Sequence, residues 1–255
     1  MSVEHRLLEG YLATLHLPTF VRNYARFAED ATHTNQTYER FLLALAEHEI
    51  NDRDRRRQME RLKAAHLPMV KELADFDFSA LPNLNKQRIL DLARGSYIEH
   101  VEPVLLVGNP GLGKTHLATA LAVAACRQSH RVRFYNVAAL VGELIVAEDE
   151  HRLPKLMAAA LKHDLIVLDE LGFIPFSATG AQLLFQFCST LYERVTLIIT
   201  TNLKFADWTQ VFGDERLTLA LLDRLTHRAH ILEFLGESYR FRQRLQHAEP
   251  TEVAM

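Results

Sequence analysis

Gly108-Asn109-Pro110-Gly111-Leu112-Gly113-Lys114-Thr115 closes an apolar run that begins at Val104, and its G-x-x-x-x-G-K-T spacing suits the grip of a phosphate chain. Gly108, Gly111 and Gly113 lack a Cβ, so the backbone there can take positive φ and converge its amides on phosphate oxygens. The helix expected from about Lys114 to Gln128 adds free N–H groups and the positive end of its dipole. Lys114 would reach the β- and γ-phosphates of a nucleotide, and the Thr115 hydroxyl would hold Mg2+. The expected binding set runs Gly108, Asn109, Pro110, Gly111, Leu112, Gly113, Lys114, Thr115 and His116.

Leu165-Ile166-Val167-Leu168-Asp169-Glu170 is a second apolar run, this time ending in two acids. Asp169 would ligate the metal, directly or through water, and Glu170 is placed to polarise an attacking water as a general base. A phosphate loop joined to such a strand points to hydrolysis rather than storage of the nucleotide. In the third run, Leu197 to Asn202, the polar tip Asn202 would orient the water or contact the γ-phosphate, with Thr201 as neighbour and backup. Arg216 and Arg224 stand in a helical stretch whose other residues are largely apolar: Leu217, Leu221, Leu222 and Leu225. An arginine held in this way can reach across a subunit boundary to a neighbour's nucleotide, an effect worth roughly 10³–10⁵ in rate in other NTPases. Oligomerisation would then be a condition of activity.

The elements that must position these residues alternate. Strands are expected at 104–107, 132–136, 165–168, 195–200 and 230–234. Helical stretches are expected at 114–128, 138–162, 178–192, 205–212 and 214–226. Such alternation gives an α/β fold with a parallel five-stranded sheet between helices, which binds ligands at the carboxyl ends of its strands. Gly108, Asp169 and Asn202 all fall at those ends.

Upstream, apolar residues recur at three- and four-residue spacing from Leu8 to Leu45, with Pro18 suited to the first turn of a second helix and Thr37 to the cap of a third. A small all-helical module is expected. Residues 53–63 hold six basic and two acidic side chains, and on a helix Arg53, Arg57 and Arg61 share a face that could track a phosphate backbone. The alternative is a solvated helix face with internal pairs such as Arg56–Glu60. After Pro68 the pattern loosens; Phe76 and Phe78 are expected to dock this linker on the following domain, and a helix from about Lys86 to Arg94 ends at Gly95.

Composition sets wide bounds. In 255 residues, 48% are hydrophobic, ample for a core, and a net charge of −3 confines any basic surface to a local patch. Cys126 and Cys188 sit in apolar helical contexts, which fits buried free thiols in a reducing compartment, and a cytoplasmic location is expected. No apolar run reaches the about 20 residues needed to span a bilayer, and the first residues lack the pattern of a secretory signal.

Taken together, these motifs resemble those of the AAA+ ATPases, more narrowly the clade of DnaC helicase loaders and IstB transposition helper proteins. The pattern is Gly108 to Ala118, then Leu165 to Gly172, Thr200-Thr201-Asn202, Asp214-Glu215-Arg216, Asp223-Arg224-Leu225 and Ser238-Tyr239-Arg240. The Arg53–Lys63 cluster, Ala64 to Pro68 and Asp75-Phe76-Asp77-Phe78 look like IstB in particular. The resemblance implies an ATP- and Mg2+-dependent protein that oligomerises on duplex DNA, selects or remodels it and stimulates a cognate transposase. It implies catalytic roles for Lys114, Glu170, Asn202 and Arg224, with Thr115 and Asp169 on the metal. Clade members carry an extra DNA-facing helix after the second strand; residues 138–162 could hold it, with Arg152, Lys155 and Lys162 as its basic residues. DNA contacts are expected at Arg53, Arg56, Arg57, Arg61, Lys63, Arg152 and Lys155. The expected organisation is a helical module over 1–68, a linker over 69–95, an ATPase domain over 96–246 with a reduced C-terminal lid, and a tail over 247–255. In that lid Arg240 would be a second sensor. The competing readings are a DnaC-like replicative helicase loader and a nucleotide-dependent scaffold without turnover.

Overall fold

The computed structural model describes residues 3–173 and 175–236. The chain divides into two compact units, Met1–Glu60 and Arg61–Met255.

The first unit is helical: α1 (Val3–Thr14), α2 (Pro18–His33) and most of α3 (Tyr38–Ala64), whose 27 residues cross the boundary. Pro18 opens α2 because the first helical position needs no amide donor, and the Arg40 amide donates to Thr37 Oγ1 at the start of α3. The unit buries Leu45 together with two polar residues, Thr19 and Glu49. Glu49 accepts from the Thr19 amide at 2.9 Å and from Arg53 Nε at 2.7 Å. Burial alone would raise the Glu49 pKa; these bonds and the Arg53 charge hold it below the usual carboxylate range.

The second unit begins with two 3-10 turns, Leu73–Asp75 and Phe78–Ala80, followed by α4 (Lys86–Leu92) and the single turn α5 (Ser96–Glu99). Then come β1 (Val104–Gly108), α6 (Lys114–Arg127), β2 (Val132–Asn136), α7 (Val137–Asp149), α8 (Leu153–Ala160), β3 (Leu165–Leu171), α9 (Ala178–Leu191), β4 (Thr196–Thr201), α10 (Thr209–Phe212), α11 (Glu215–Thr226) and β5 (His230–Phe234). The strands form one sheet in the order β2-β3-β4-β1-β5, and every neighbouring pair is parallel. Parallel strands covered on both faces must be apolar along their length, and the interiors of β1, β3 and β4 are.

Successive side chains build opposite cores. Leu105, Ile166, Leu168, Leu197 and Ile199 pack with α7, α9 and α11, whereas Leu106, Val132, Phe134, Val167 and Ile198 pack with α4 and α6. Cys126 and Cys188 are buried free thiols, one in each core. No helix among the described residues is long and apolar enough to cross a membrane.

Boundaries differ from the sequence expectation where local chemistry intervenes. The stretch 138–162 is two helices, broken at Glu150–Arg152, with Pro154 in the first turn of α8. β3 continues through both acids to Leu171, and its register with β4 shifts between Leu168 and Leu171. Residues 205–212 form a 3-10 turn and the one-turn α10 rather than a single helix. The expected lid, Ser238-Tyr239-Arg240 and the 247–255 tail lie outside the described residues.

Candidate functional site

The loop after β1 is shaped by its glycines. Gly108, Gly111 and Gly113 have φ of +149°, +81° and +88°. A Cβ on Gly108 would stand 2.2 Å from the Phe234 carbonyl oxygen in β5, so this position admits no side chain. Gly113 is the left-handed N-cap from which α6 starts, directly before Lys114. Lys114 is 7% exposed and its Nζ donates to the Gly108 and Asn109 carbonyls at 2.6 and 2.8 Å, which holds the ammonium against the loop.

Asp169 lies across from the start of α6. Thr115 Oγ1 donates to its two oxygens at 2.9 and 3.2 Å, and Thr200 Oγ1, from the adjacent β4, donates to Oδ1 at 2.6 Å. Burial pushes the Asp169 pKa up. The Thr200 and Thr115 hydroxyls pull it down, the Glu170 charge adds to the rise and the Lys114 charge opposes it, and the net direction is upward.

Glu170 follows with φ of +63°, a left-handed backbone that a non-glycine residue adopts only when its surroundings impose it. Its amide donates to Thr200 Oγ1 at 2.9 Å, and its exposed carboxylate accepts from Asn136 Nδ2, at the end of β2, at 2.9 Å. Asn136 also caps α7, its Oδ1 accepting from the Ala138 and Ala139 amides.

A cavity of about 490 Å³ runs along this edge of the sheet, from Glu170, Phe173, Thr200 and Asn202, past Pro110–His116, to Pro68, Met69, Lys71, Asp75, Phe76 and Leu81. Its far wall is the segment before α4. As expected, Phe76 docks: it is buried, its ring lies edge-on to His116 with centroids 5.3 Å apart, and a Cβ on Gly113 would meet it at 3.0 Å. Glu72 secures the same segment to α6, its carbonyl 3.3 Å from His116 Nε2 and its carboxylate paired with Arg127.

Thus Lys114, Thr115, Glu170 and Asn202 meet at one cavity, and Asp169, which does not line it, is bonded to two residues that do, Thr115 and Thr200. Thr201 does not line it: its buried hydroxyl accepts from the Leu203 amide, and Thr200, which faces the opposite way along β4, meets Asp169 instead. Thr200 and Asn136 were not singled out from sequence, although Thr200 is quoted within the Thr200-Thr201-Asn202 motif. Arg224 does not line this cavity. Its guanidinium bonds Ser189 Oγ and lies 5.1 Å from the Phe185 ring centroid, both on α9. Arg216 is exposed in the first turn of α11.

The basic residues are largely engaged with neighbouring acids. Arg53, expected on an open face with Arg57 and Arg61, is drawn onto Glu49 and the His16 carbonyl. Arg55 and Arg56 lie 3.8 and 3.9 Å from Asp52, and Arg57 lies 3.5 Å from Asp54. Arg152 pairs with Glu150, and Lys63 and Lys155 are exposed. Exposed pairs of this kind are weak, at about 0–1 kcal/mol each, and exchange readily for a phosphate.

The β2-β3-β4-β1-β5 parallel order, a phosphate loop between β1 and α6 and an acidic pair on β3 together define a P-loop ATP-binding protein of the AAA+ type. Solved structures with this fold include the DnaC helicase loader, at 24% identity and a TM-score of 0.50 over 58% of this chain and 87% of that one. Another is the replication initiator DnaA bound to AMPPCP and single-stranded DNA, at 18% identity and a TM-score of 0.54 over 73% of this chain and 58% of that one.

The sequence profile described as IstB-like ATP binding protein matches residues 10–247, and the chain belongs to that family. Its relatives include an ATP-binding protein of insertion sequence IS21 from Pseudomonas aeruginosa, 37% identical over 93% of this chain and 89% of the relative. An insertion sequence ATP-binding protein of Sinorhizobium fredii (strain NBRC 101917 / NGR234) is 39% identical over 96% of this chain and 83% of the relative.

Proposed function

We propose that the chain is an ATPase of an insertion sequence, which assembles on duplex target DNA in the presence of ATP, remodels or selects that DNA, and stimulates a partner transposase. The observation that carries the hydrolytic part is the convergence of Lys114, Thr115 and Glu170 on one edge of one cavity, with Asp169 bonded to Thr115 behind them. The transposition context is supported by the relatives, described as ATP-binding proteins of insertion sequences. In this reading residues 1–68 bind DNA and help assembly, 69–95 link, and 96–246 form the ATPase domain.

The residues fit Mg2+. A hydroxyl and a carboxylate 2.9 Å apart, Thr115 and Asp169, are the hard oxygen donors that this ion takes alongside phosphate oxygens. When bound it would neutralise phosphate charge. Lys114 adds a second positive group beside the loop amides, and Asn202 borders the same cavity, placed to orient water. Glu170 takes the proton of the attacking water once its carboxylate turns from Asn136 to the cavity. Arg224 serves a neighbouring subunit after leaving Ser189, and Arg56, Arg57, Arg61, Lys63, Arg152 and Lys155 supply phosphate contacts. Arg53, held on Glu49, is the weakest of the expected set.

Light scattering with ATP, with and without duplex DNA, tests the reading on the native chain and on Glu170→Gln, which should bind nucleotide but turn it over about 10²–10⁴-fold more slowly. Growth of a large particle that needs both ATP and duplex DNA, persisting in Glu170→Gln, is the expected result. A particle that stays small on duplex DNA, yet captures a replicative helicase, would overturn it in favour of a loader.

A further inference from the structure

We propose that Thr200 is a positioning residue of the hydrolysis site, fixing through one oxygen atom both the metal-side carboxylate Asp169 and the backbone that presents Glu170. The inference rests on the ATPase reading above and adds to it a residue that acts through Asp169 and Glu170.

The argument begins with the irregularity in β3. The register with β4 shifts between Leu168 and Leu171, which interrupts the ladder at Glu170 and leaves its part-buried amide to a side-chain acceptor. That acceptor is Thr200 Oγ1 at 2.9 Å. Because the amide supplies the hydrogen of that bond, the single hydroxyl hydrogen of Thr200 is free to go elsewhere, and it goes to Asp169 Oδ1 at 2.6 Å. Donor and acceptor directions are therefore both fixed, and Thr200 is only 1% exposed, with its bond to Asp169 buried. The same Oδ1 receives the Thr115 hydroxyl at 2.9 Å, which ties β4, β3 and the start of α6 into one chain of bonds.

The consequence reaches both halves of the chemistry. Asp169 has its rotamer set by the two hydroxyls, and Glu170 is kept in its left-handed conformation, with φ of +63°, by the bond to its amide. Neighbouring hydroxyls cannot substitute: Thr201 is engaged with the Leu203 amide, and Thr115 comes from the other side of Asp169. Hydrogen bonds to a ligating carboxylate of this kind are worth about 10–100-fold in metal affinity or activity in other metal sites.

The test compares Thr200→Val, which keeps shape but removes the oxygen, with Thr200→Ser, which keeps the oxygen. ADP binding to the full chain is measured by calorimetry in EDTA and again with Mg2+, and ATP turnover is followed by phosphate release. In Thr200→Val, binding in EDTA is expected to stay within about threefold of the native chain, whereas the gain in affinity from Mg2+ and kcat each fall by about 10–100-fold. Thr200→Ser should stay within about threefold of the native chain in all three.

Thr200→Val with undiminished Mg2+ gain and kcat would overturn the proposal. So would an equal loss of binding in EDTA, which marks a merely structural role, or Thr200→Ser falling as far as Thr200→Val. If the native chain gains no affinity from Mg2+, or Lys114→Ala binds ADP as the native chain does, the site reading fails as well, and the two failures are distinguishable.

Discussion

Asn136 divides its amide between two tasks, its oxygen capping α7 and its nitrogen holding the Glu170 carboxylate at 2.9 Å. The bond occupies one oxygen of the carboxylate and aims the group at the end of β2, so on the proposed reading it restrains the base while it lasts. Asn136→Asp keeps a capping oxygen but sets a like charge against Glu170. Phosphate release from this variant without DNA should exceed that of the native chain, and equal rates would show that the contact restrains nothing. At this scale Lys114, Thr115, Asp169 and Glu170 were legible because each is fixed by its neighbours in sequence, a loop entering a helix or an apolar strand ending in acids. Thr200 and Asn136 were not, because their roles depend on the register of β4 against β3 and of β2 against β3. A shift of one residue on β4 exchanges Thr200 for Thr201 and turns the hydroxyl to the opposite face.

At the scale of elements, the loop after β1 is locked to β5. Gly108 has φ of +149°, and an added Cβ would stand 2.2 Å from the Phe234 carbonyl oxygen. Gly108→Ala should therefore lower stability by about 1–3 kcal/mol from backbone strain alone, with the clash adding to it. A shift of the denaturant midpoint to lower concentration, at unchanged slope, is the expected reading, and an unmoved midpoint would contradict this packing. Sequence periodicity found the five strands and the main helices, because a buried parallel strand and a helix have different periods. It ran α7 and α8 together because their apolar spacing continues across the break at Glu150–Arg152. It could not see that β3 extends through its acids, since that requires the partner strand to absorb a shift.

For the molecule as a whole, the two units are built on different terms. Arg61–Met255 has a sheet with an apolar core on each face, while among the described residues of Met1–Glu60 the only buried apolar side chain is Leu45. Global stability should also depend on pH through His163, between α8 and β3. Burial lowers its pKa below the ordinary 6.5, the principal cause, with carbonyl contacts opposing and the charges of Arg133 and Arg131 adding to the fall. The unfolded chain then takes up a proton before the folded one does, so His163 contributes a loss of stability that begins as pH falls through 6.5 and is complete below the depressed folded value. Thermal melts at pH 7.5 and 5.5 on the native chain and on His163→Gln check this: the variant should lose less Tm on acidification, and equal losses would remove His163 as the cause.

The left-handed backbone at Glu170 carries one more consequence, for anyone improving this protein by selection. Asparagine and glycine occupy that conformation with little penalty, and relief of such strain is worth about 1 kcal/mol or more. A library sorted only for heat tolerance would thus enrich replacements at position 170. If Glu170 is the base proposed above, the library would yield robust molecules that still grip nucleotide and have lost the means to consume it.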